Sequence, residues 1–89
     1  MSSEQFLQSL RQDGFPDPIE VQQVPNGQLG MHEHSFEVRA LVVEGAITIV
    51  IDGLSKIYHP GDIFQIKLMQ PHTESYGPVG VRYLASRKK

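Results

Sequence analysis

The sequence contains no cysteine and no tryptophan. Without cysteine there is no disulfide staple, no thiolate metal ligand and no thiol nucleophile. Long apolar runs are missing too. The longest is Ala40-Leu41-Val42-Val43, far short of the roughly 20 residues that a membrane-crossing helix needs. Neither sign of charge dominates: 8 Lys and Arg stand against 10 Asp and Glu, for a net −2. The one basic cluster, Arg87-Lys88-Lys89, reads as a solvated tail, and a duplex-binding surface needs a broader basic patch. The first residues lack the basic-then-apolar order of a secretory leader. The expectation is a soluble cytoplasmic protein with neither nucleic acid nor membrane as a partner.

What is present is an ordinary globular composition. The chain has 89 residues, 39% hydrophobic and 20% charged, enough for one domain with a thin core. Residues 2–12 carry a short helical pattern: Phe6, Leu7 and Leu10 share a side, Ser2 and Gln5 have capping-box spacing, and Gly14 ends the run. The helical period then disappears. Ile19 to Val24, Gln28 to Val43, Ala46 to Ile51, Leu54 to His59, Ile63 to Leu68, His72 to Tyr76 and Val81 to Ala85 read as strands. Pro25-Asn26-Gly27, Glu44-Gly45, Asp52-Gly53, Pro60-Gly61-Asp62, Met69-Gln70-Pro71 and Gly77-Pro78-Val79-Gly80 read as turns between them. Many short strands at this spacing indicate an all-β barrel or sandwich with a short N-terminal helix. The expected layout is helix and linker over 1–18, barrel over 19–86 and basic tail over 87–89. The strand at 36–43 is apolar on both faces, so both need cover. Phe36, Val38, Ala40, Val42, Phe64 and Ile66 are the expected inner lining. The outer face, together with Ile47, Ile49 and Ile51, points to the helix or to a C2 homodimer.

Four histidines carry the chemistry. In an extended segment His32 and His34 leave the same face, two residues and about 6.6 Å apart along the backbone, close enough to converge on one ion. Such a pair is equally compatible with surface histidines. His72 opens a strand, where packing or turn-capping is the plain alternative. His59, beside Pro60-Gly61, reads as a surface residue, as do Glu33 and Glu44. Arg39 and Arg82 read as exterior charges, or as anion-holding residues. Tyr76 and Tyr83 line or fill a pocket.

The whole set has a familiar order. Gly30-Met31-His32-Glu33-His34 … Gly45 resembles the first motif of the cupin superfamily, and Pro60-Gly61-Asp62-Ile63-Phe64 … Pro71-His72 resembles the second. The resemblance covers about residues 19–86. It implies a small jelly-roll β-barrel with a divalent transition metal (Fe, Mn, Ni, Zn or Cu) inside, held by His32, His34 and His72. The motif's acidic ligand falls on Val38 here. Glu37 is one position off and reaches the site only through a β-bulge between 34 and 38. Glu74 shares strand parity with His72 and Tyr76 and is the other candidate carboxylate. Glu74, Tyr76 and Glu37 are therefore the candidate catalytic residues. Two functions fit: a metal-dependent oxygenase or isomerase acting on a small polar or anionic molecule, or a non-catalytic metal or small-ligand sensor. A vestigial pocket of histidines packed around water is the third possibility.

Overall fold

The computed structural model describes all 89 residues. Helix α1 (Ser3–Gln12) begins where the sequence predicts. The Ser2 hydroxyl accepts from the Gln5 N–H, and the Gln5 side chain accepts from the Ser2 N–H, so two otherwise orphaned donors are satisfied. Six strands follow: β1 (Ile19–Gln23), β2 (Gln28–His32), β3 (Glu37–Ile51), β4 (Leu54–Tyr58), β5 (Ile63–Ile66) and β6 (His72–Lys88). No helix is long and apolar enough to cross a membrane.

The two longest strands organise everything else. β3 and β6 run antiparallel along almost their full length. The first half of β3 also pairs with β5, and its second half with β4. β6 pairs with β2 through its first half and with β1 through its second. The continuous sheet thus folds on itself into two facing halves, with β3 and β6 passing from one half to the other.

At the crossing the sequence reading needs correction. Glu44-Gly45 and Gly77–Gly80 are not turns. They are irregularities inside β3 and β6, where the register shifts between Val42 and Glu44 and again between Gly45 and Ile47. Gly45 pairs with Val81 while Ile47 pairs with Tyr76, so the four residues from Gly77 to Gly80 lie opposite Ala46 alone. Such bulges bend strands and re-aim side chains. Here they also exchange parity. The inner face of β3 is Val38, Ala40 and Val42 before the bulge, then Ile47 and Ile49 after it. On β6 it is His72, Glu74 and Tyr76, then Val81, Tyr83 and Ala85. The expected separate short strands are therefore two long ones. Each keeps its apolar residues inward on both sides of the bend.

The inner faces meet in one core that includes Val38, Ala40, Val42, Ile47, Ile49, Phe64, Ile66, Tyr76, Val81, Tyr83 and Ala85. Phe36, an expected lining residue, packs against it partly buried. A second, smaller cluster lies outside the barrel, where Phe6, Leu10 and Phe15 cover Leu41, with Val43 and Leu84 at its edge. Phe6 and Leu10 are fully buried, each worth about 1.5–3 kcal/mol of transfer free energy. That docking stabilises a helix too short to persist alone. It also meets the two-sided apolar pattern of β3 within one chain. Ile47 and Ile49 point inward, so these strands do not by themselves require a second copy.

Gly45 and Gly80 make the crossing possible. Gly45 has φ +76°, and a Cβ there would collide with the Gly80 carbonyl. Gly45→Ala should therefore lose about 2–5 kcal/mol, combining left-handed strain with overpacking. Gly53→Ala, at φ +77° but facing open space, should lose only about 1–2 kcal/mol. Urea denaturation of the two variants checks the difference; equal losses would mean that the close approach contributes nothing.

Candidate metal centre

β2 ends on His32, directly opposite His72 at the start of β6. The register slips between Leu29 and His32, and this slip brings the two histidines into line. Cross-strand partners sit close enough for side-chain contact, and the two rings lie with centroids 4.2 Å apart. His34 is not in a strand, contrary to the sequence expectation. It lies in the connection between β2 and β3, where its carbonyl accepts from the Met69 N–H at 2.8 Å. That bond ties the connection to the turn preceding β6. The His34 ring stands 5.0 Å from His32 and 5.2 Å from His72. Glu74, two residues beyond His72 on the same face of β6, completes the group.

Hydrogen bonds fix which ring atoms face the centre. His32 Nδ1 lies 2.7 Å from the Gly30 carbonyl, and His72 Nδ1 lies 3.0 Å from the Gln70 carbonyl. A carbonyl oxygen only accepts, so each Nδ1 carries hydrogen and donates. Each neutral ring is left with a lone pair on Nε2. Both Nε2 atoms lie 3.2 Å from the same Glu74 Oε2. Three lone-pair atoms at this distance repel one another unless a proton or a metal cation sits among them. Protonating both imidazoles would set two cations face to face. One divalent ion satisfies all three atoms together.

The donor set fits that ion. One donor atom from each of His32, His34, His72 and Glu74 lies within 4.8 Å of the others. Atoms bonded at about 2.0–2.2 Å to a common centre lie at most about 4.4 Å apart, so the group closes somewhat on the ion it takes. Three imidazoles and a carboxylate suit a divalent first-row metal. The His34 pKa is held below its usual 6.5, first by burial and then by His32 and His72 beside it; this keeps the ring neutral and able to ligate. The far oxygen of Glu74, Oε1, accepts from the Tyr76 hydroxyl at 3.2 Å. Burial, and then the Glu74 charge, push that hydroxyl well above its usual range, so it stays a donor. His72 is fully buried and Glu74 is 8% exposed. His32, 27% exposed, faces the solvent side.

The group opens into a cavity of ≈ 190 Å³. Its walls include Val38, Phe64, Ile66 and Tyr83 from the core, with Phe36 stacked on His34 at 4.9 Å and 13°. Tyr83 is another buried phenol, pushed up to about 12 by its burial.

The remaining candidates fall elsewhere. Glu37 is not in the group. The register of β3 against β6 is unbroken from Glu37 to Val42, so no bulge rescues it, and it stays on the face opposite Val38. Glu33, Glu44 and His59 are exposed. Arg39 pairs with Asp13 and lies over the Phe15 ring, outside the barrel. Arg82 pairs with Glu20 and Glu44, also outside. Arg87, read from sequence as part of a solvated tail, belongs to β6 and lines the cavity. Only the parity exchange at the bulge could have signalled that.

Comparison with solved structures sets this geometry in a family of folds. An RmlC-like cupin from Shewanella frigidimarina superposes with a TM-score of 0.69 at 21% identity, over 80% of this chain and 63% of that one. The chain has a cupin fold. The polyketide cyclase RemF from Streptomyces resistomycificus matches this cupin barrel with a TM-score of 0.67 at 26% identity, over 89% of this chain and 60% of its own. An HTH_3 family transcriptional regulator from Vibrio cholerae matches at 0.66 and 15%, over 79% and 40%. The chain spans less than two thirds of the length of each of these proteins. No family model matches it, and no curated protein does.

Two outcomes follow from the site. Tyr76→Phe removes the bond to Glu74 Oε1 and should weaken zinc binding by about 10–100-fold, as loss of an outer-sphere partner does, measured by competition with a chromophoric chelator. In metal-free protein the folded His34 takes up its proton at lower pH than the unfolded chain does. It therefore contributes stability above pH about 6.5 that is lost as the pH falls through its folded pKa. Urea midpoints between pH 7 and pH 5 should decline less steeply in His34→Gln than in the wild type. Parallel slopes would contradict this.

Proposed function

We propose that this cupin-fold protein binds a divalent transition metal through His32, His34, His72 and Glu74. We propose further that it uses the metal on a small polar or anionic molecule, in chemistry of the oxygenase or isomerase type. The observation that supports this best is the meeting of two imidazole lone pairs at one carboxylate oxygen. Two imidazole acceptors turned toward an anionic carboxylate make a place that a divalent cation fills well. A bound ion of this class polarises carbonyls, acidifies water or, when redox-active, supports oxygen chemistry. The chain's own residues do the rest. The Nδ1 bonds to Gly30 and Gln70 hold the rings in orientation, and Tyr76 holds the carboxylate. The apolar walls take the carbon body of the ligand and keep water from it. RemF, a polyketide cyclase, is an enzyme on the same fold.

One observation favours a second reading, a non-catalytic sensor. Glu74 is the one carboxylate lining the cavity, and it already faces His32, His72 and Tyr76. No second carboxylate remains beside it. A transcriptional regulator shares the fold as well.

Elemental analysis of untagged protein, beside His72→Ala, tests the proposal. The wild type should carry close to one transition-metal ion per chain, and the folded variant should carry at least about tenfold less. A wild type with far less than one ion, even after incubation with excess metal, would overturn it. If the ion is present, turnover across a panel of small carbonyl and enol substrates supports the enzyme. Saturable binding without turnover supports the sensor.

A further inference from the structure

We infer that Arg87 is the anion-binding residue of the cavity. Its ligand would be a small molecule with an apolar body and one oxyanion of carboxylate type. The inference rests on the reading of this cavity as the ligand site and adds the class of ligand.

The charge inventory leads to it. Of the chain's four arginines, three are neutralised: Arg11 by Asp17, Arg39 by Asp13, and Arg82 by Glu20 and Glu44. Arg87 has no carboxylate partner. It is also the arginine that lines the cavity. The single wall carboxylate, Glu74, faces His32, His72 and Tyr76, so nothing in the wall competes for the guanidinium.

Its placement is built rather than accidental. β6 points Val81, Tyr83 and Ala85 inward after the bulge, and Arg87 follows in the same alternation. The guanidinium carbon lies 5.2 Å from the Phe36 ring centroid, and Phe36 lies nearly parallel to His34. With no carboxylate in the structure paired to it, the guanidinium keeps its N–H fork, the geometry that matches a carboxylate. Arg87 is exposed, at the solvent side, while His72 is fully buried. An oxyanion is therefore met at the mouth, and the opposite end of the ligand faces the histidines.

The walls set the rest of the molecule. Eight of the 13 lining residues are hydrophobic, which suits a carbon body and not a sugar. The volume, ≈ 190 Å³, is below the ~300–1,000 Å³ of sites for drug-sized ligands, which suits a small molecule. The fitting class is a small aromatic or branched monocarboxylic acid.

The test is calorimetric titration with benzoate, phenylacetate and isobutyrate, each against its neutral amide. It uses the wild type, Arg87→Gln and Arg87→Lys, with zinc-loaded and metal-stripped samples and zinc content measured throughout. At least one acid should bind the wild type about tenfold or more tighter than its amide. Arg87→Gln should erase that preference, as loss of a charge-assisted bond does, with zinc content unchanged. Arg87→Lys should restore part of it. An acid preference that survives Arg87→Gln, or no acid preference in any sample, overturns the inference. Protein that never takes up zinc yet keeps an Arg87-dependent acid preference would sink the metal proposal and leave this one standing.

Discussion

Two imidazole nitrogens and a carboxylate oxygen, all of them acceptors in their neutral or ordinary ionised forms, point at one place from three positions of the chain. Their mutual repulsion is relieved by a proton or a metal cation among them, and the fold is arranged to impose the meeting. His32 and His72 face each other because a slip in β2 puts them in register. Their rings cannot rotate away without breaking the bonds to Gly30 and Gln70. Glu74 cannot swing out without losing Tyr76. A cluster held this firmly acts as a preformed receptor, and the ordering cost is met during folding instead of at binding.

The scaffold that holds the cluster depends on a geometric device. A regular strand keeps one parity inward, but the inward residues change parity along β3, from 38, 40 and 42 to 47 and 49, so a bulge is needed between the two sets. The paired bulges at Gly45 and Gly80 make that change in both β3 and β6. They keep His72, Glu74 and Tyr76 inside on one half, and Tyr83 inside on the other. The same parity exchange carries Arg87 to the cavity wall. Core packing and site composition are thus set by one local feature, with the N-terminal helix covering the outer face that remains.

Much of this is written legibly in the sequence. Ser2 and Gln5 mark the helix start, Asp52-Gly53 marks the hairpin, and the alternation of Phe36, Val38, Ala40 and Val42 marks an inner face. The spacing of His32, His34 and His72 marks the candidate site. Glu74 was readable from its parity with His72. What the sequence hides is whether a glycine turns a chain or bulges it. Gly-Pro-Val-Gly at 77–80 has turn composition, yet β6 continues through it because β3 supplies a partner strand on either side. That long-range pairing is invisible locally, and with it go the length of β6 and the inward aim of Arg87. Glu37 is the converse case: it has the right residue type near the motif position, but the regular register of β3 assigns it to the wrong face.

The account stands on a single cation held among His32, His34, His72 and Glu74. Anomalous diffraction from crystals of zinc-loaded protein tests it most directly. The prediction is one strong peak within bonding reach of His32 Nε2, His72 Nε2, a ring nitrogen of His34 and Glu74 Oε2. Crystals with the barrel intact but no peak at that position, or with the three rings turned to separate surroundings, would contradict it.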